Sequence, residues 1–352
     1  MIALASRALA TNGVLSRVIQ RHAWLVSLVL LHAMAAVAAA DMLGLSFDPG
    51  VVSRLSTIFT ILVPVFLLVL FIWRTVCAAR TVREGSVTLW LLRDVRDIFT
   101  DGERMLNGAI ALLALSLFMG AFDFFKMVIP QINPFSWDPL FARTDQILHG
   151  GQDPYTLLMP LFGTPLATTI INGAYNVWFL LMFFVVFVAC FTRHNPRARD
   201  TFLLAFVLTW AIGGNLLATV FSSGGPVYFA PLGFGDHFQP LVSMLHAFDN
   251  VSPVWSLDVQ DALWQGYVAD GPLHGISAMP SMHVASTSLL TIYAYRYARW
   301  AGILMTIFLC MILVGSVLLA WHYAIDGYAG ILVALCCWWA ASKLTTPRGD
   351  EN

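Results

Sequence analysis

Charge is what this chain has least of. Of its 352 residues only 11% are Asp, Glu, Lys or Arg, while 59% are hydrophobic. Mean hydropathy is +0.75. A soluble domain carries roughly 25% charged residues, so the shortage excludes a water-borne globular protein and leaves an integral membrane protein. Cysteine is also sparse. Cys77, Cys190, Cys310, Cys336 and Cys337 fall inside or at the ends of apolar segments, without disulfide or metal-ligand spacing, and read as small apolar packing residues. No internal repeat and no low-complexity linker interrupts the chain, which makes one domain the default. The net charge of −1 gives no ground for a nucleic-acid partner.

What is there is a series of long apolar runs. Eight segments, near 24–40, 57–78, 106–128, 171–191, 201–221, 281–298, 301–320 and 323–342, have about the length a bilayer demands. The expected fold is therefore all-α, a polytopic membrane helix bundle of about eight spans. Arg7, Arg17 and Arg21 before the first run resemble the start of a signal peptide, but a retained first span agrees better with the charges. With the N-terminus inside, only Arg54, Lys126 and Arg143 of the 19 Lys and Arg residues fall outside. That asymmetry predicts an N-in, C-in protein of the inner (plasma) membrane.

The inner segment 79–105 contains an amphipathic stretch, Val87 to Phe99, expected to lie on the membrane surface. The outer segments 129–170 and 224–280 are long, and long loops in a compact protein are usually functional. Their aromatics (Trp137, Tyr155, Tyr228, Trp255, Trp264, Tyr267) read as a belt at the lipid interface. His22, His32, His149, His194, His237, His246 and His274 read as interfacial polar residues, and Asp123 with Lys126 as an ion pair.

Two short motifs stand apart. Met279-Pro280-Ser281-Met282-His283 opens one apolar helix, and Trp321-His322-Tyr323-Ala324-Ile325-Asp326 opens the last. The apolar residues between suffice for one span out and one back, with a turn near Arg299, so the histidines should meet at the outer face. Ser281 is a plausible N-cap, and the helix start behind it is a natural cradle for a phosphate. His322 and Asp326 are four apart, which on a helix puts them on one face. An Asp beside an imidazole fixes its tautomer and leaves the other nitrogen free to attack or to take a proton. The same pair fits a transporter's proton relay, but that reading predicts titratable groups threading several spans, and here they gather at one face.

Gly275-Ile276-Ser277-Ala278-Met279-Pro280-Ser281-Met282-His283, followed by His322-Tyr323-Ala324-Ile325-Asp326-Gly327-Tyr328-Ala329-Gly330, resembles the type 2 phosphatidic acid phosphatase superfamily. It is similar more narrowly to the branch that contains the fungal inositol phosphorylceramide synthases. Ser223-Gly224-Gly225-Pro226-Val227-Tyr228 resembles that branch too, as does Pro134-Phe135-Ser136-Trp137-Asp138 with Asp145, Leu148, His149 and Gly150-Gly151. The resemblance covers roughly residues 106–342. It implies three parts: two N-terminal spans with an interfacial segment (1–105), a catalytic membrane domain (106–342) and a cytoplasmic tail (343–352).

The resemblance also implies roles. His322 attacks phosphorus to give a phosphohistidine, Asp326 holds its imidazole, and His283 protonates the leaving oxygen and then deprotonates the acceptor. No metal and no cofactor is implied. Ser281, Pro280, Lys126, Gly225, Pro226, Tyr228, Asp145 and Arg143 are the expected substrate contacts, Asp145 at the head group. The superfamily's Lys-x6-Arg-Pro block has no intact copy here: Gly225-Pro226 stands where Arg-Pro is usual, and Asn133-Pro134 follows Lys126 at the matching spacing. Ser316 stands where an Arg usually precedes the third block's histidine. The reading is a lipid head-group phosphotransferase opening at the outer leaflet, taking a lipid phosphate and an alcohol or inositol-bearing acceptor. Its alternative is a phosphatase of lipid or polyprenyl phosphates, with water as acceptor.

Overall fold

The structure, a computed structural model, describes residues 2–82, 85–269 and 275–345, with side chains from residue 16 onward. Arg83, His274, Arg348 and the tail beyond residue 345 lie outside the described residues, as does the Arg7 side chain. The described residues form helices and loops without a strand. The helices are α1 (Ile2–Leu43), α2 (Val51–Thr81), α3 (Val87–Thr100), α4 (Gly102–Ile132), α5 (Asp138–Leu148), α6 (Pro154–Phe162), α7 (Pro165–Phe191), α8 (Pro196–Val220), α9 (Gln239–Asp249), α10 (Ser256–Ala269), α11 (Met282–Tyr297), α12 (Arg299–Leu318) and α13 (Ala324–Leu344). Seven are long and apolar enough to cross a membrane: α1 from Ser16, α2, α4, α7, α8, α12 and α13. A polytopic helical bundle is thus what the sequence folds into, because a helix satisfies every backbone group within its own segment inside lipid.

The eighth expected span, α11, differs from the other seven in length and in what surrounds it. Helix α11 has 16 residues, about 24 Å at 1.5 Å per residue, short of the roughly 30 Å hydrocarbon core. It is held by protein, packed against α12 and α13. Met282 and every residue from Val284 to Thr291 are buried. Its polar side chains survive there by bonding one turn back: Ser286 to the Met282 carbonyl (2.6 Å), Thr287 to His283 (2.6 Å), Ser288 to Val284 (2.8 Å) and Thr291 to Thr287 (2.8 Å).

The chain divides into two compact units, Met1–Gly120 with Val186–Pro196 and Ala121–Val185 with Arg197–Asn352. In the first, α2 has only 6% of its apolar window buried, the profile of a helix facing lipid. Helix α3 is the amphipathic stretch. Ser86 caps it by accepting from the Leu89 amide at 3.4 Å, and Arg74 pairs with Asp94 while lying over the Trp90 ring. His22, expected at an interface, is 3% exposed and meets Asn107 at 3.1 Å. It is a buried polar contact between helices.

The second unit carries the motifs. Helices α11 and α12 form the expected hairpin, with Ala298 as the turn, and α13 packs beside them. Gly330 allows that contact, since a Cβ there would lie 2.6 Å from the Ser281 carbonyl. Wide π-type turns of α8 (Trp210–Leu217) lie against α11. A Cβ on Gly213 would press on the Met282 sulfur at 3.1 Å and one on Gly214 on the Phe122 ring at 2.6 Å, so these glycines make room for Met282 and Phe122. The outer aromatics do not form a plain belt. Phe135, Tyr228 and Ile276 make a buried cluster, with Trp264 packed on it.

Candidate active site

His283 sits in the first turn of α11 and His322 in the loop that leads from α12 into α13. Their ring centroids are 6.1 Å apart. The expected hairpin therefore brings them together. Ser281 is the N-cap of α11, its side chain accepting from the Val284 amide at 3.5 Å. Its own amide donates to the Asp326 carbonyl at 2.9 Å, which ties the first turn of α11 to that of α13.

The pairing of His322 with Asp326 differs from the expected one. His322 precedes α13 rather than lying on it, so the two do not share a helical face. Its Nδ1 donates to the Ala278 carbonyl at 2.8 Å, and the Asp326 Oδ2 stands 3.4 Å away. Asp326 is the third residue of α13 and closes a capping box, in which Oδ2 accepts from the Tyr323 amide at 3.0 Å. The carbonyl is thus the closer orienting group, with the carboxylate behind it as a nearby negative charge. With Nδ1 engaged as donor, Nε2 keeps its lone pair. The Asp326 Oδ1 is buried without a hydrogen-bond partner.

A network of loops sets this geometry. Ser223 bonds the other motif twice, its carbonyl accepting from the Ala278 amide (2.9 Å) and its hydroxyl from the Met279 amide (3.2 Å). The Val227 amide donates to the Ala320 carbonyl at 3.0 Å. Gly225 has φ of +95°, and a Cβ there would lie 2.4 Å from the Trp321 carbonyl, so only glycine fits. Asp138 accepts from the amides of Gly224 (2.9 Å) and Gly225 (2.8 Å) and from the Tyr323 hydroxyl (2.9 Å). Asp145 accepts from the amides of Ala324 (2.6 Å) and Ile325 (3.0 Å). Burial pushes the carboxyl pKa of both aspartates above the ordinary value, and the amide hydrogen bonds pull it part of the way back.

The histidines open on a cavity of about 500 Å³ lined also by Lys126, Tyr175, Trp178, Trp210, Tyr228, Ser277 and Trp321. Seven of its 19 lining residues are Phe, Tyr or Trp. Lys126 is the only Lys or Arg among the described lining residues, while Asp123 is exposed. The His283 ring is clasped between Tyr175 (centroids 4.2 Å apart) and Trp178 (3.9 Å). Trp178 is itself fixed by its indole N–H donating to Ser286 at 3.2 Å.

Of the expected contacts, Lys126 and Tyr228 line the cavity with both histidines. The Tyr228 hydroxyl is already committed to the Gln260 carbonyl at 2.9 Å, and burial pushes its pKa up. Pro280 and Ser281 are buried behind the wall, Gly225 and Pro226 shape the loop, and Arg143 is exposed on α5 away from the cavity. Asp145, expected at the head group, is 3% exposed and turned onto backbone amides. Tyr175 and Trp178 escape the sequence reading, because aromatics in an apolar span look like ordinary core. The cue is their spacing of three, which puts both on one helical face.

A family model described as the PAP2 superfamily matches residues 141–340. No curated protein and no solved structure matches the chain.

Proposed function

Because the chain belongs to the PAP2 superfamily, whose membership suggests a phosphatase or phosphotransferase acting on phosphate esters, we propose that it transfers a lipid phosphoryl head group through a phosphohistidine on His322. The observation that carries the reading is the orientation of His322. Its Nδ1 is spent on the Ala278 carbonyl, so Nε2 is the nucleophile, 6.1 Å centroid to centroid from a second imidazole.

In the first step the Nε2 lone pair bonds to phosphorus and the ester P–O bond breaks. His283, entering as imidazolium, gives its proton to the departing alkoxide. In the second step the acceptor hydroxyl returns a proton to His283 and its oxygen displaces Nε2, regenerating both histidines. Lys126 supplies positive charge to the phosphoryl oxygens. Asp326, 3.4 Å from Nδ1, stabilises the charge that the ring of His322 gains in the intermediate.

The aromatic wall favours an alcohol over water as acceptor, since a mostly apolar cavity holds little water near the phosphohistidine. This supports the head-group phosphotransferase, akin to the inositol phosphorylceramide synthase branch, over simple hydrolysis. We place the site at the outer leaflet, as the charge asymmetry indicates. The titratable groups gather around one end of α11 and α13, which speaks against a relay through the membrane.

The test uses purified protein in detergent. Phosphatidic acid alone reads hydrolysis as released phosphate. Phosphatidylinositol with an alcohol-bearing lipid reads transfer as a new phosphorylated lipid. Product that requires the added alcohol, with a ³²P-labelled acid-labile adduct mapped to His322, supports the proposal. Full turnover by His322→Ala refutes it.

A further inference from the structure

Helix α5 places two carboxylates, Asp138 and Asp145, seven residues and so two turns apart on one face. They are 0% and 3% exposed, and neither lines the cavity. Both are spent on the loop that holds the nucleophile. Asp145 takes the amides of Ala324 and Ile325. Asp326 takes the amide between them and His322, that of Tyr323. The three amides that follow His322 are therefore each bonded to a carboxylate. On the other side of His322, Asp138 grips Gly224 and Gly225, and Val227 of that same loop bonds the Ala320 carbonyl.

A bare helix N-terminus attracts anions. The start of α13 is already filled by the protein's own Asp145, which has both oxygens engaged. A substrate phosphate is thereby kept off this helix start and left to the cavity side of His322. A buried carboxylate with two charge-assisted hydrogen bonds is also a stiff anchor.

Resting on the phosphohistidine reading above, we infer that Asp145 is a positioning residue for His322: through α5 it locks the first turn of α13, and thereby the nucleophile, in place, without touching substrate. Asparagine cannot replace it fully, because its NH₂ group would face one of the two amide donors.

The experiment compares Asp145→Asn and Asp145→Ala in the full-length detergent-solubilised protein. Turnover is measured on the donor lipid, and hydrogen exchange in the peptide spanning residues 319–330. A reactive group displaced by about 1 Å loses on the order of 100-fold in rate. A kcat loss of that order for Asp145→Ala, a smaller one for Asp145→Asn and KM within about threefold of wild type are expected. Exchange should quicken in this peptide while the rest of the chain keeps its wild-type rates. A second variant, Ala324→Pro, deletes one donor from the other side. Proline is tolerated at the first helical position, so this variant should show a partial kcat loss of the same kind.

A KM rise of tenfold or more with kcat preserved would make Asp145 a substrate contact and overturn the inference. So would faster exchange with unchanged kcat. Exchange is read whether or not turnover occurs. If the wild-type protein acts on no lipid phosphate, the functional reading fails, and unchanged exchange in the variants then overturns the anchoring separately.

Discussion

At the residue scale, the proposed mechanism divides the work between two imidazoles with different surroundings. His322 is hydrogen-bonded through Nδ1, whereas the His283 ring is held by aromatic faces on either side. Removal of the nucleophile by His322→Ala is expected to lower turnover by roughly 10³-fold or more. His283→Ala should cost about 10²- to 10⁴-fold, as for a general acid–base, and should accumulate less phosphohistidine from a poor leaving group than from a good one. A quench-flow assay with alkyl and nitrophenyl phosphates separates the two. Lys126→Met should raise KM more than it lowers kcat, read from a substrate titration, because it removes charge that both ground and transition states feel. Gly225→Ala is expected to lose on the order of 100-fold in kcat, since its Cβ would drive away the Trp321 carbonyl next to the nucleophile. The spacing of His322 and Asp326 reads in sequence as a shared helical face. The structure makes one a loop residue and the other a cap, because α13 begins only at Ala324. An interval of four fixes neighbours only when both residues lie inside the helix.

At the scale of elements, the long apolar helices were legible from composition, and the hairpin from two motifs flanking one apolar stretch. Helix α11 was legible in place, and its polar, protein-facing character was not. Its serines and threonines bond their own carbonyls, which lets a polar, short helix sit inside protein instead of lipid. The role of α5 was not legible, because nothing in Asp138 and Asp145 names partners more than 80 residues away in the chain. Their titration gives a further check. Burial sets the pKa of Asp145 above its unfolded value of 3.8. Its contribution to stability is therefore fully present below pH 3.8 and is lost as pH rises through the higher folded pKa. In Asp145→Asn that contribution is absent. Its melting temperature, followed by scanning fluorimetry across the acidic range, should fall less steeply with rising pH than that of the wild type.

At the scale of the whole molecule, the positive charges sort to one side of the proposed topology. In a background without native cysteines, Arg143→Cys on intact cells should react with a membrane-impermeant maleimide. Arg197→Cys should react only after permeabilisation. The reverse pattern would turn the site to the other leaflet. The absence of the superfamily's usual arginines was legible at once. What stands in their place was only half so: Lys126 was visible as a residue, while the aromatic wall around it depends on contacts among α4, α7, α8 and α10 that a single sequence does not encode locally.

The carboxylates behind His322 have a consequence for the direction of force across the ring. Asp326 stands 3.4 Å from Nδ1 of His322 and Asp145 holds the amides of Ala324 and Ile325, while Lys126 lines the cavity on which His322 opens. The proposed nucleophile lies between carboxyl groups on one side and a lysine in the cavity. A carboxylate behind Nδ1 lowers the energy of the ring once phosphorus is attached, and a cation in the cavity attracts the incoming phosphoryl oxygens. It also turns an arriving anion so that its phosphoryl group leads and its uncharged remainder trails. The proposed site in effect carries a built-in polarity, and a substrate without a negative end would enter it with no preferred orientation.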